Sequence, residues 1–183
     1  MFAESLIRNC APTLAGLKTG SIFCCPYESR ESLLEELRRM NKDFRKKGLR
    51  ILPLRMNACR VLIYVYRPGK LQADLAEADA AEILRYNGYN PEDCGSCVVN
   101  LARKLRQQEA FPHEIGLFLG YPPEDVRGFM ENGACNCKCA GCWKVYGDEA
   151  AARKKFDQYK KCTRVYFDRW ACGATMDRLT VAT

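Results

Sequence analysis

The run VLIYVY at Val61–Tyr66 constrains this chain more than any other stretch. Six consecutive apolar residues, most of them β-branched or aromatic, favour a pleated strand, and the run is too short for a buried helix. No polar residue interrupts it, so the strand is expected at the buried centre of a sheet. Arg67-Pro68-Gly69 punctuates its exit. A second strand, Leu49–Arg55, precedes it, with Asn57 near the turn between them. A third, shorter apolar strand is expected at Ser21–Cys25, while the rest of residues 1–27 reads as irregular.

Helical periodicity fills most of what remains. Leu33, Leu37, Met40 and Phe44 share one face of a helix that starts with Ser32 and Glu35 as a capping box, or with Ser29 as its cap. Gly48 can end it. Leu71 to Tyr86 reads as a second helix. A third is expected from Asn90-Pro91, with Glu92 and Asp93 in its first turn. Its apolar stripe is Cys94, Cys97, Val98, Leu101 and Leu105. The cysteine pair in that stripe has metal-type spacing but suits core packing better, since a free thiol behaves as a small hydrophobe. Short helices are expected at His113–Leu119 and from Pro122-Pro123 to Asn132-Gly133. Cys142–Tyr146 alternates like a strand, a long helix starts near Asp148, and Leu179–Ala182 reads as a terminal strand. The fold expected is α+β, one compact domain over 1–183, with helices packed on a modest mixed or antiparallel sheet.

At 183 residues the chain can bury a proper core, and 48% hydrophobic with 28% charged residues is a globular balance rather than a disordered one. No apolar run is long enough to span a bilayer, and MFAESLIRNC lacks the basic start and apolar core of an export signal. A cytoplasmic protein is the expectation, with no membrane partner. Its twelve cysteines then read as free or metal-bound thiols rather than disulfides.

The segments CAPTLAGLKTGSIF, FPHEIGLFLGYPPEDVRGFMENG, GCWKVYGD and the later YKKC resemble a bacterial family numbered 3793 among domains of unknown function. The resemblance runs over nearly the whole chain. It implies an anaerobic Firmicute (clostridial) and cytosolic setting, and no established activity. The family pattern falls on Cys10, Pro12 and Thr13, on His113-Glu114-Ile115-Gly116, and on Trp143-Lys144-Val145-Tyr146. The packed cysteines of 135–139 are not a required part of it.

Three chemistries compete. The first uses the loop 134–142, where Cys135, Cys137, Cys139 and Cys142 fall within eight residues beside Lys138 and Lys144. Lysines favour thiolates, which suits a thiol- or metal-linked redox accessory role with a redox protein partner. Alternate residues of an extended chain stand roughly 6.8 Å apart. Tetrahedral zinc needs sulfurs within about 4 Å, so the loop must curl to hold zinc or an iron–sulfur cluster. Cys162 or Cys172 is a further candidate ligand. The spacing matches neither paired C-x2-C knuckles nor a ferredoxin run. The second chemistry is group transfer or hydrolysis, with Cys10 as nucleophile, His113 (the single histidine) as base, and Glu114 or Asp125 orienting the imidazole. A structural hydrogen bond is the plainer role for that histidine. The third rests on a net charge of +7 and the basic side of the last helix. Arg153, Lys154, Lys160, Lys161 and Arg164 form either a phosphate-binding face for nucleic acid or a solvated one. Gly116 and Gly120 lack any nucleotide-loop spacing, and read instead as close helix packing and a helix end.

Overall fold

The computed structural model describes residues 2–108 and 110–182. The chain divides into two compact units, one made of the residues up to Gly69 together with those from Lys161, the other of Lys70–Lys160. The fold class is α+β, as expected.

In the first unit the sheet has three antiparallel strands, β1 (Gly20–Pro26), β2 (Arg50–Met56) and β3 (Arg60–Tyr66), in the order β1-β3-β2. The VLIYVY strand is central, and every residue from Val61 to Tyr66 is buried. One face of the sheet carries Phe23, Cys25, Ile51, Val61, Ile63 and Val65 into a cluster with two helices. Helix α2 (Arg30–Lys46) contributes Leu33, Leu37 and Phe44. Its cap is Ser29, whose Oγ accepts from Ser32 N–H at 3.3 Å, so the Ser32 capping box does not form. Asn41 of α2 ties the helix to β2, donating to Ile51 O at 2.7 Å and accepting from Ile51 N–H at 2.9 Å.

The N-terminal segment is not irregular. It forms helix α1 (Phe2–Leu14), which buries Leu6, Ile7, Cys10, Ala11 and Leu14. That stripe is a regular helical one. Pro12 obscures it in the sequence, yet it falls in the last turn, and its carbonyl accepts from Leu17 N–H as the helix ends. The expected terminal strand is also absent. Leu179 and Thr180 are buried in a turn, and Val181 N–H donates to Leu14 O.

Arg67, at the exit of β3, is 1% exposed. Its guanidinium donates to Thr13 O (2.8 Å), Leu14 O (2.7 Å), Lys47 O (3.2 Å) and Val181 O (2.8 Å). Three segments far apart in sequence meet on this one side chain. Burial lowers its pKa from the usual guanidinium value, opposed by Tyr166.

The second unit is mostly helical. The helix expected over Leu71–Tyr86 is two: α3 (Pro68–Ala76) and α4 (Ala78–Tyr86), broken where Glu77 takes an extended ψ of 138°. Asn90 does not start the next helix, because residues 90–93 close a turn and Asp93 caps instead, accepting from Ser96 N–H at 2.9 Å. Helix α5 therefore runs Cys94–Gln107, with Cys97 buried as expected but Cys94 only half-buried at its first position. Helices α6 (Ile115–Phe118) and α7 (Pro123–Asn132) follow. The strand expected over Cys142–Tyr146 shortens to β5 (Lys144–Val145), which pairs antiparallel with β4 (Cys139–Ala140). Helix α8 (Glu149–Ala171) enters this unit's small aromatic core with Ala152, Phe156 and Tyr159, beside Trp143 and Val145. No helix among the described residues is long and apolar enough to cross a membrane.

Candidate functional site

The second unit holds a cavity of about 350 Å³ built around α6, α7 and β5. Its walls are Phe111, Ile115, Tyr121, Val126, Phe129 and Trp143, and His113, Asp125 and Lys144 also line it. Gly116 lets the two helices meet closely. A Cβ there would stand 2.8 Å from Val126 Cγ2 and 3.0 Å from the Tyr121 ring. Gly120 then ends α6 with a φ of 74°. Both glycines thus have the packing and helix-end roles expected of them.

Asp125 organises one wall. Its carboxylate is 3% exposed and accepts three hydrogen bonds. Oδ2 takes the Trp143 indole N–H at 2.6 Å, while Oδ1 takes the backbone N–H groups of Tyr146 (2.7 Å) and Gly147 (2.8 Å). A buried carboxylate stays stable only when its oxygens are satisfied, and here the WKVYG segment supplies all three donors. Trp143 is thereby fixed, stacked on Tyr121 with ring centres 4.8 Å apart and edge-on to Phe156 at 4.5 Å. The Tyr121 hydroxyl donates to Cys142 O at 3.1 Å, and burial pushes its pKa up to about 12. Asp125 was expected to orient His113 if it had a catalytic role; its oxygens serve Trp143 and the backbone instead. The signal for this was the acidic first turn of α7 facing a Trp with an N–H to satisfy, a pairing that only tertiary contact makes visible.

Glu114 does not orient the histidine either. It is buried, and its Oε1 accepts from Lys104 Nζ at 2.7 Å and from Tyr89 OH at 3.1 Å. Lys104 Nζ also donates to Asn87 O at 2.8 Å and sits 4.3 Å over the Tyr89 ring. Burial, then the neighbouring Glu114 charge, raises the Tyr89 pKa, so its hydroxyl remains a donor. Lys104 is a partner that sequence reading missed. It lies ten residues before Glu114 on another helix, and no local pattern joins them.

His113 is exposed at the cavity edge, its ring edge-on to Phe129 with centres 5.1 Å apart. Cys10 belongs to the other unit. It is fully buried in the α1–sheet cluster, and burial pushes its thiol pKa well above the ordinary value. That is the environment of a packing thiol, because a nucleophilic cysteine needs access and a stabilised thiolate.

The loop 134–142 curls back as a hairpin. Lys138 N–H donates to Val145 O at 2.8 Å, Lys138 Nζ to Gly147 O at 2.6 Å, and Tyr146 OH to Gly133 O at 2.6 Å. Cys135 and Cys142 are exposed, while Cys137 and Cys139 are half-buried. Among the described residues no group of three or more His, Cys, Asp or Glu side chains is arranged to hold a metal ion, and these four thiols form no such group. Pairing of Cys139 with Val145 keeps that part of the loop extended, which separates alternate side chains. On α8, Arg153, Lys154, Lys160, Lys161 and Arg164 are all exposed, and Arg153 pairs with Glu149 at 2.6 Å.

The cavity residues His113, Gly116, Asp125, Trp143 and Lys144 all fall inside a stretch that matches a known family model, described as protein of unknown function (DUF3793), over residues 6–180. The chain belongs to the DUF3793 family. Comparison with curated proteins and with solved structures gives no match. Membership in DUF3793 assigns no reaction, so the chemistry of the site has to come from its own residues.

Proposed function

We propose that this protein binds a small molecule in the cavity beside His113. The observation that carries the reading is the cavity itself, about 350 Å³ with mainly aromatic and aliphatic walls and a few polar groups at its edge. That size and lining are those of ligand pockets generally. Trp143 gives a direct reporter, since the chain has only two tryptophans and this indole N–H is held on Asp125. A fragment screen followed by NMR is expected to shift the Trp143 indole resonance and leave that of Trp170 in place. A screen in which no fragment moves Trp143 overturns the proposal.

Thiol-linked redox work is the second reading, favoured by the exposure of Cys135 and Cys142 on one hairpin. A cytosolic, anaerobic setting, which the family resemblance implies, would keep these thiols reduced. In this reading the loop exchanges disulfides with a redox protein partner, or takes up zinc or an iron–sulfur cluster on rearrangement. Metal analysis and thiol mapping of protein purified without oxygen test it. Metal-free protein whose loop cysteines react no faster than Cys172 removes it.

A further inference from the structure

Resting on the cavity reading above, we infer that the ligand is an apolar carboxylic acid, its ring or chain held between the aromatic walls and its carboxylate taken by Lys144 and His113. The polar inventory of the cavity leads there. The Trp143 N–H is spent on Asp125, and the Asp125 oxygens already accept three hydrogen bonds. Capacity remains in two places. The Lys144 ammonium has three protons and, among the described residues, makes one long bond, 3.4 Å to Ala134 O. The His113 imidazole has no side-chain hydrogen bond among the described residues and meets the Phe129 ring edge-on. Both residues line the cavity and keep donor capacity that a ligand can use. The edge of the cavity is therefore a donor edge with a cation, over an apolar floor.

Charge complementarity then selects among ligand classes. An ammonium ligand would face Lys144 with like charge, and the Asp125 oxygens, although anionic, are turned to the Trp143 indole and two backbone N–H groups rather than to the cavity's donors. A neutral amide would fit the walls but forgo the charge-assisted bond. A carboxylate completes Lys144 and offers His113 an acceptor, and charge-assisted bonds are about twice as strong as neutral ones. Tyr121, Phe129 and Trp143 give the body of an apolar ligand aromatic contacts along the walls.

Matched triplets test this in the intact protein. Each triplet carries one ring system, such as naphthalene, as its carboxylate, its carboxamide and its aminomethyl form, and binding is read at the Trp143 indole resonance. The carboxylate is expected to bind about tenfold tighter than the carboxamide, with the amine weakest. K144Q should cut the carboxylate preference to near parity while leaving carboxamide affinity in place, and K144R should restore most of it. H113A should produce a smaller loss in the same direction. Carboxamides or amines that bind as tightly as the acids overturn the inference and leave the cavity reading standing. If no member of any triplet, and no fragment of the wider screen, moves Trp143, both fall together. A K144Q variant that loses carboxylate and carboxamide binding alike also overturns the assignment to Lys144, because the side chain then acts only on the shape of the cavity.

Discussion

The two units bury opposite charges and use them differently. In the first, Arg67 gathers carbonyls from residues 13, 14, 47 and 181, so one cation closes contacts between segments distant in sequence. In the second, Asp125 collects three donors from residues 143–147, and Glu114 pairs with Lys104 nearby. A buried charge is costly in an apolar interior, and each is kept only where the surrounding polar groups are fixed around it. Arg67 thus acts on a whole sheet-and-helix core. Asp125 acts on the wall of a cavity. The contrast teaches that the same device sets overall assembly in one place and local site geometry in the other.

Replacing the cation should have the largest effect. R67M leaves four carbonyls without their donor, two of them in buried bonds, and a loss of about 3–5 kcal/mol is expected, on the scale of a broken buried charge network. Urea midpoints read it, and a loss under about 1 kcal/mol would show Arg67 to be incidental to the first unit. D125N comes next. One amide oxygen cannot serve three donors, and the amide NH2 faces N–H groups, so about 2–3 kcal/mol is expected, mostly from unsatisfied polar atoms. Hydrogen exchange sharpens the point. Amides of 143–147 should open in D125N while those of β3 stay protected, and equal loss in both would show that Asp125 is not local.

G128A tests the same wall by sterics. A Cβ at Gly128 would lie 2.4 Å from the Tyr146 ring, and Tyr146 is one of the residues held by Asp125. The ring must shift, for a loss of about 1–3 kcal/mol, and a neutral variant would show that the wall yields freely. The smallest effect at neutral pH concerns one buried thiol in each unit. Burial raises Cys25 and Cys97 from an ordinary 9.0 to about 11. The folded state therefore prefers these thiols protonated. Their contribution is complete below pH 9 and declines as pH rises toward 11. C25S and C97S should flatten that alkaline decline in their respective units, and a decline unchanged in both would assign it to other groups.

Much of the fold was open to sequence reading because its signals are local. VLIYVY announced a central strand through composition and length alone, and β3 is central. The α2 stripe was equally plain, while its cap was ambiguous between Ser29 and Ser32 until the hydrogen bond was placed. Helix α1 was missed because Pro12 is a strong breaker in isolation, although it is tolerated where the helix is already ending. The break at Glu77 was missed for the opposite reason, since the residues around it are good helix formers and the periodicity passes through it.

For the candidate site, the sequence by itself determined the ingredients: a lone His113 beside Glu114, an acidic first turn at Asp125, the WKVYG segment and a loop dense in cysteine. Tertiary structure alone decided their pairing. It gave Glu114 to Lys104 and Asp125 to Trp143, put Cys10 in a core and His113 at a cavity edge, and spread the loop thiols along a hairpin. The physical reason is range. Strand and helix preferences are set by residues a few positions apart, whereas a buried carboxylate takes its donors from whichever segment packing brings within about 3 Å.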